Sequence, residues 1–251
     1  MSYEHSEFLA DMLRKLAKLD YIRPNEIPNI DLYMDQVTTF MDSHLEATKR
    51  SEADKILTKT MINNYAKNNL LPPPVKKKYS RDHMITLMFI YYFKSLMSIS
   101  DIQSVLGPLT ERFFAGNGSV SLEHIYKEIY QGERERLPFI TKDIISMFKK
   151  AEGSFENVSN EEEKEYLQIF SFICYLCFDM YMKKEMVENI IDELNSTRAC
   201  DNSADSRTAR NDKPGKPDKP VKSGKPGKPA KSGKPVKPDN PTGKASDSTN
   251  K

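Results

Sequence analysis

Residues 57–106 read LTKTMINNYAKNNLLPPPVKKKYSRDHMITLMFIYYFKSLMSISDIQSVL, and this stretch decides the fold class. It holds two helical patterns on either side of a connection rich in proline and lysine. At about 100° per residue, Lys59–Lys67 separates into an apolar side and a polar side, which predicts an amphipathic helix. Residues 84–97 are apolar almost all round, which predicts a buried central helix capped by Ser80. The prolines at 72–74 end any helix between the two.

The polar side of the helix at 59–67 contains no acidic residue. It offers ammonium, hydroxyl and amide groups, and it consists of Lys59, Thr60, Asn63, Asn64 and Lys67. Asn can pair with adenine in the major groove, and Lys can contact guanine or a phosphate. More cations follow at Lys76, Lys77, Lys78 and Arg81. On spacing alone, a solvated helix face is the plainer interpretation of this pattern.

Charge is distributed unevenly along the 251 residues. Residues 213–251 hold 11 basic and three acidic residues, so they carry +8, and the other 212 residues carry −6. Within that acidic body, residues 52–106 hold eight basic and four acidic residues, or +4. A local basic patch on an acidic domain is typical of a DNA contact.

The C-terminal end has the composition of a disordered tail. Residues 213–251 repeat Lys-Pro units and contain no aromatic residue, so they cannot bury enough apolar surface to order themselves. We predict disorder over residues 198–251. The positive charge would attract a polyanion in a salt-dependent way. A solubilising extension is an equally good interpretation.

The chain before and after the central stretch is also helical in pattern. Residues 1–20 contain an amphipathic helix, and residues 32–45 contain a second helix. Ser100 is expected to cap a short helix that Gly107-Pro108 ends.

A helical C-terminal region is predicted over residues 107–197. It contains short helices near 122–129 and 144–148, and Ser159 and Glu162 form a capping box for a long helix from Glu161 to about Leu194. The one plausible β element is residues 71–79. The fold class is therefore mainly α.

The order of these features resembles the winged helix-turn-helix of MerR-type transcription regulators. The shared features are a short helix, Leu-Leu-Pro-Pro at 70–73, a basic hairpin, Tyr-Ser at 79–80 and a long apolar helix. More closely, residues 21–106 resemble the bacterial family called domain of unknown function 1836. The residues that carry this second resemblance are IDLYMDQV at 30–37, LTKTMINNY at 57–65 and PPPVKKKY at 72–79.

The resemblance implies a MerR-like winged helix-turn-helix domain over residues 21–106. Lys59–Lys67 would be the recognition helix and residues 74–79 the wing. The implied contacts with double-stranded DNA come from Lys59, Thr60, Asn63, Asn64, Lys67, Lys76, Lys77, Lys78 and Arg81.

Three departures from the MerR pattern bear on this implication. Asn63-Asn64-Tyr65 stands where MerR-type proteins usually have Arg and two Tyr, so an Arg phosphate clamp is missing. Asn69 replaces the usual Gly, but Asn also tolerates the left-handed conformation that the turn needs. The link between the second helix and Lys59 is longer than the usual turn of three to four residues.

Other residue patterns do not indicate catalysis. The sequence has no nucleophile elbow, phosphate loop or paired-carboxylate signature, so we predict a protein that is not an enzyme and has no cofactor. Cys174 and Cys177 have the spacing of a redox or zinc pair, but no second Cys or His pair lies nearby in the sequence. We predict a buried structural pair and no metal. His83 is expected to help cap the helix after Ser80.

The same sequence predicts a soluble, cytoplasmic protein with no membrane contact. Residues 1–20 carry acidic residues where a signal peptide would be apolar, and the apolar stretches at 84–93 and 166–182 are too short to span a bilayer. Three cysteines do not form a disulfide framework.

The long helix from Glu161 to about Leu194 is apolar over more than half of its circumference. Its partner is either the helices before it or a second copy, in which case the helix at 161–194 forms a homodimer seam. The sequence thus favours a sequence-specific DNA-binding transcription regulator. The alternatives are a winged-helix protein-interaction module, or a small-molecule sensor built on the aromatic residues at 166–181.

Overall fold

The computed structural model of the protein describes residues 5–17 and 21–211. In those ranges it has seven α-helices: α1 His5–Leu16, α2 Met34–His44, α3 Lys59–Lys67, α4 Arg81–Phe93, α5 Ile99–Phe113, α6 Leu122–Glu152 and α7 Glu161–Asn211. Two short strands are present, β1 Leu32–Tyr33 and β2 Lys78–Tyr79. The prediction of a mainly helical protein is confirmed. The described residues up to Asp205 form one compact unit, and the packing described below concerns that unit.

Helix α4 lies at the centre of the core. Its residues 83–90 are all buried, and Met84, Ile85, Leu87 and Ile90 have no exposed surface. The hydroxyl of the buried Thr86 is satisfied, because Oγ1 donates to the carbonyl of Asp82 at 2.8 Å. The prediction of a buried central helix is confirmed for 83–90, whereas the residues from 91 onwards are half-exposed or exposed.

The main core includes the beginning of α6. Tyr126 and Ile22 are both buried in it, and the Tyr126 hydroxyl donates to the Ile22 carbonyl at 2.6 Å. This contact joins residues that are 104 positions apart in the chain. The compact domain therefore extends past residue 106, at least to Tyr126.

The two strands form a two-stranded antiparallel sheet in which Leu32 pairs with Tyr79 and Tyr33 pairs with Lys78. Because side chains alternate across a strand, Leu32 and Tyr79 are buried while Tyr33 is exposed and Lys78 half-exposed. The β element predicted at 71–79 is thus shorter in the structure. It consists of β2 and a bridge between Val75 and Lys78.

Helix α3 has the predicted bounds, and its ends are capped as its sequence suggests. Thr58 Oγ1 accepts from the Met61 amide at 3.2 Å. At the other end, Asn69 has φ of 55°, and the Leu70 amide donates to the Tyr65 carbonyl at 2.9 Å. This is the Schellman arrangement, and the expected left-handed Asn69 is confirmed.

The link between α2 and α3 is long, as predicted. Residues 45–58 include a 3₁₀ helix at Glu46–Thr48 and a turn in which Asp54 accepts from the amides of Arg50 and Ser51 at 3.0 Å. Ile56 and Leu57 are buried at the end of the link. The link is therefore an ordered part of the domain.

The predicted end of α5 at Gly107-Pro108 is wrong. Ser98 rather than Ser100 is the N-cap, and the helix continues through Pro108 to Phe113. Proline removes the amide that would bond to the carbonyl four residues earlier, at Ser104. Arg198 of α7 supplies a donor instead, with Nη1 at 2.6 Å from that carbonyl oxygen.

The C-terminal helices are longer than predicted. The two helices expected near 122–129 and 144–148 form the single helix α6, which continues through an exposed Pro138. Asn160, not Ser159, caps α7, since its side-chain oxygen accepts from the amides of Glu162 and Glu163 at 3.0 and 3.3 Å.

Helix α7 also extends past the predicted end near Leu194 and reaches Asn211. Residues 198–211, predicted to be disordered, are helical in the structure. The rest of the predicted tail, residues 212–251, lies outside the described residues. Near its start, α7 contributes Phe172 to a second small core with Phe148 and Ala151, against which Phe8 of α1 packs.

Candidate nucleic-acid interface

The polar side of α3 faces solvent over its whole length. All five of its residues predicted to contact DNA are exposed: Lys59, Thr60, Asn63, Asn64 and Lys67. On the opposite side Ile62 and Tyr65 are buried at 0% and 6% exposure, and they fix the rotation of the helix on the core. The helix therefore presents amide and ammonium groups outward on a rigid support.

Of these five side chains, that of Lys59 forms an ion pair. Its ammonium pairs with the carboxylate of Asp35 in the first turn of α2. Both side chains remain largely exposed, at 60% and 75%, so the pair adds little to stability. Its effect is electrostatic, since Asp35 reduces the positive charge at the start of α3.

The proposed wing is a tight hairpin with two lysines at its tip. The Val75 amide donates to the Lys78 carbonyl at 3.1 Å, and the Lys78 amide donates back to Val75 at 2.9 Å. The two residues between them, Lys76 and Lys77, have φ of 50° and 64°. Positive φ at both central residues is the pattern of a type I′ turn, which usually contains Asn-Gly. Both lysines are exposed, and the turn holds them in a conformation unfavourable for side chains larger than Asn.

The polar side of α3 and the hairpin meet at the beginning of α2. Lys78 Nζ lies 5.3 Å from the centre of the Tyr33 ring, and Tyr33 is the N-cap residue of α2. Lys59 pairs with Asp35, two residues further along. Lys59 and Lys78 therefore both reach the same end of α2, although their elements are separated in the sequence. The exposed Asp31 lies next to this end and makes the surface electrostatically mixed.

Arg81, which the sequence predicts to contact DNA, is not part of this exposed surface. Its side chain is 19% exposed and pairs with Glu123 of α6 at 3.0 Å. The same guanidinium donates to the Pro24 carbonyl at 2.6 Å, while its Nε is buried without a hydrogen-bond partner. Arg81 therefore joins α4 to α6 and to the segment before α2.

His83 connects the base of the hairpin to α4, as its predicted capping role requires. Nδ1 accepts from the Ser80 amide at 3.0 Å, and Nε2 lies 3.4 Å from the Pro73 carbonyl. The ring is 2% exposed and meets Tyr79 and Phe114 edge-on. Burial lowers the pKa of this imidazole, and the Pro73 carbonyl partly opposes that shift. The neutral form is therefore favoured in the folded protein.

The C-terminal cysteines do not form the predicted buried pair. Cys174 and Cys177 are both exposed on α7, because the buried side of the helix there is made by Gln168 and Phe172. Among the described residues, no group of three or more His, Cys, Asp and Glu could hold a metal ion. In the same part of the chain, no helix is long and apolar enough to cross a membrane.

Sequence reasoning missed Asp35 and Tyr33 as neighbours of the basic groups. The signal was present in the IDLYMDQV motif, which carries both residues, but their proximity to Lys59 and Lys78 depends on the pairing of β1 with β2. Two strands of two residues each leave too little periodicity to predict that pairing.

Comparison with known proteins finds a family model that matches the part of the chain that holds this surface. Residues 22–129 match the family model described as Domain of unknown function (DUF1836). The resemblance to that family is confirmed over these residues, which contain α2 to α5 and the start of α6. The match ends just after Tyr126, the residue that closes the core against Ile22. No curated protein and no solved structure matches the chain.

Proposed function

We propose that the protein is a sequence-specific DNA-binding transcription regulator whose DNA-binding part is a MerR-like winged helix-turn-helix at residues 21–106. The observation that carries this proposal is the exposed polar side of α3, which has no acidic residue and is fixed from behind by Ile62 and Tyr65. Amide and ammonium groups fixed on one side of a helix suit base edges and phosphates in a major groove.

The two parts of the surface have different roles in this proposal. Asn63 and Asn64 read base edges from α3, and Lys67 contacts the backbone. Lys76 and Lys77 reach phosphates from the hairpin tip, where they carry charge but read no sequence. Arg81 supports the surface from inside rather than touching DNA, because its guanidinium is already bound to Glu123 and Pro24.

Selection of binding sites from random double-stranded DNA tests the proposal. We expect the full chain to enrich one sequence at a salt concentration that suppresses non-specific binding through residues 213–251. Replacing Asn63 and Asn64 by Ala should weaken binding to that sequence about tenfold or more, because each lost bidentate contact is worth about 1–3 kcal/mol.

Asn195→Ala is the matched control, since Asn195 is an exposed Asn on α7 far along the chain from α3. It should leave the affinity unchanged. Failure to enrich any sequence, together with unchanged weak binding of the Asn63→Ala, Asn64→Ala variant, would contradict sequence-specific recognition.

A homodimer through α7 completes the proposal. Tyr166, Phe170, Ile173, Cys177 and Met180 follow at spacings of four and three residues, which is the period of a coiled-coil seam, and all five are exposed. The exposed fractions of Tyr166, Phe170 and Ile173 are 69%, 51% and 50%. A second copy would cover this stripe and would present two α3 helices to DNA half-sites related by a two-fold axis.

A second candidate function is a winged-helix module that binds a protein. The observation that favours it is the Lys59–Asp35 pair together with the inward Arg81, which make the surface less positive than its sequence suggests. A stoichiometric protein partner that survives nuclease treatment, and whose binding does not change in Lys77→Glu, would favour this function over DNA binding. Loss of the partner on nuclease treatment would favour DNA.

A further inference from the structure

The small sheet has an outer face on which Lys78 alone is a predicted DNA contact. Lys78 pairs with Tyr33 of β1 on one side and, through the bridge, with Val75 on the other. Directly opposed residues of antiparallel strands point their side chains to the same face. Tyr33, Lys78 and Val75 therefore form one row, which we call the outer sheet face. The opposite face is turned to the core through the buried Leu32 and Tyr79.

Two of the three residues on the outer sheet face expose aromatic or apolar surface. Tyr33 is 54% exposed and Val75 is 69% exposed. An antiparallel sheet that covers a core with one face normally carries polar side chains on the other. Lys78 Nζ lies 5.3 Å from the centre of the Tyr33 ring, so an ammonium group stands beside the aromatic surface. The row thus combines a phenol, a cation and an apolar side chain.

The backbone beneath this row is fixed by hydrogen bonds. The Tyr33 amide donates to Gln36 Oε1 at 2.9 Å in the first turn of α2. Val75 and Lys78 exchange two bonds between their amides and carbonyls, at 3.1 and 2.9 Å. The three side chains are therefore presented on an ordered support, which lowers the entropic cost of binding a partner.

The outer sheet face adjoins the polar side of α3. Tyr33 is the N-cap residue of α2, and Asp35, two residues further on, pairs with Lys59 at the start of α3. Ammonium groups outnumber carboxylates around this junction, four against two: Lys59, Lys76, Lys77 and Lys78 against Asp31 and Asp35. The excess of positive charge favours an anionic partner for the outer sheet face.

We propose that the outer sheet face binds the sugar-phosphate backbone of duplex DNA beside the groove that α3 enters, an inference that rests on the proposed function. The Tyr33 hydroxyl donates to a phosphate oxygen, and Val75 packs against the carbon atoms of a neighbouring deoxyribose. Neither residue reads a base, so the two contacts fix the position of α3 on the duplex without recognising sequence.

Fluorescence anisotropy of the full chain on its selected duplex, across a salt series, tests the contact of Tyr33. Tyr33→Phe removes only the hydroxyl and should lower the affinity about fivefold, and Tyr33→Ala should lower it at least about tenfold. Neither change removes a charge, so the slope of log affinity against log salt should stay at the wild-type value. Lys78→Gln should lower that slope by about one. Phe139→Ala, which changes a 74% exposed aromatic residue of α6, is the control and should leave the affinity unchanged.

Hydroxyl-radical footprinting tests the contact of Val75, because the radical attacks deoxyribose and a covered sugar is protected. The wild-type chain should protect the selected sequence and a short run of sugars at its flank. Val75→Ser should lose the flanking protection and keep the protection of the sequence itself. Val120→Ser, which changes an exposed valine before α6, should keep both. Equal footprints for the two serine variants would overturn the sugar contact.

The inference and the proposed function fail in different ways. A selected duplex that Tyr33→Phe and Tyr33→Ala bind as tightly as the wild-type chain would overturn the inference and leave the proposed function standing. Enrichment of no sequence by the wild-type chain would overturn both. A nuclease-resistant protein complex that Tyr33→Ala disrupts, with DNA affinity unchanged, would assign the outer sheet face to a protein partner instead.

Discussion

Asp35 is an acidic side chain that lowers the positive charge of the proposed DNA surface. It pairs with Lys59 at the start of α3, and its carboxylate is 75% exposed. A carboxylate at this place repels phosphate and occupies an ammonium that could bind it. Because the pair is solvated, removing the acid should change the surface charge more than the stability.

We therefore expect Asp35→Asn to raise the affinity for duplex DNA several-fold at low salt, with less than about 1 kcal/mol change in the free energy of unfolding. Fluorescence anisotropy across a salt series measures the effect. Asp42→Asn is the matched control, since Asp42 lies near the other end of α2 and pairs with Lys49 at 3.9 Å. Equal affinity gains in the two variants would show a general charge effect rather than a local one.

His83 should make folding stability depend on pH. Its pKa is lowered mainly by burial, below the ordinary 6.5, so the unfolded chain takes up a proton before the folded protein does. The contribution to stability is complete above pH 6.5 and is lost as the pH falls through the lowered pKa of the folded state. Asp82 and Asp31 oppose the shift but do not reverse it.

Urea unfolding at pH about 7.5 and about 5.5 measures this loss. His83→Gln should remove part of the pH dependence, while His124→Gln, which changes an exposed His, should retain it. Identical pH profiles for the two variants would mean that His83 does not titrate on unfolding in this range.

The hairpin is the element in which stability and function should respond in opposite directions. Replacing Lys76-Lys77 by Asn-Gly supplies residues that adopt positive φ readily, so the free energy of unfolding should rise by about 0.5–1 kcal/mol. The same change removes two cations that point to solvent. DNA binding should weaken, and the slope of log affinity against log salt should fall by about two.

Chemical denaturation and salt-dependent anisotropy on one preparation measure both effects. Asn-Lys at the same two positions is the control, because it keeps one charge and should lower the slope by about one. An unchanged slope in the Asn-Gly variant would exclude phosphate contacts from the hairpin tip.

The elements that the sequence predicted well are those with a strong local signal. Helix α3 has both a capping Thr58 and a left-handed Asn69, and α4 is apolar almost all round from Met84 to Ile90, so α3 and the buried part of α4 could be predicted closely. The length of helix α5 could not be predicted. The helix continues through Pro108, and the Ser104 carbonyl that loses its amide donor there bonds instead to Arg198, which is 94 residues away in the sequence. The inward position of Arg81 could not be predicted either, because its partners Pro24 and Glu123 are distant in the sequence.

At the level of the whole molecule, the stripe of Tyr166, Phe170, Ile173, Cys177 and Met180 on α7 is exposed to solvent in the single chain. In the proposed homodimer, Ile173 lies on the seam, whereas Met186 lies on the other side of the helix. Ile173→Asp should convert a dimer to a monomer in sedimentation velocity and reduce DNA affinity at least about tenfold, because two linked half-sites bind together. Met186→Asp should do neither, and a wild-type chain that is monomeric at high concentration would contradict the dimer.

The hydrogen bond between Arg198 and the Ser104 carbonyl also restricts movement of α7 along its own axis. A slide of one helical turn, about 5.4 Å, would take the guanidinium away from the carbonyl that Pro108 leaves without its amide donor. Apolar contacts alone would resist such a slide weakly, because similar side chains recur at each turn of α7. A proline in α5 therefore favours one register of α7 against α5 at the level of Arg198.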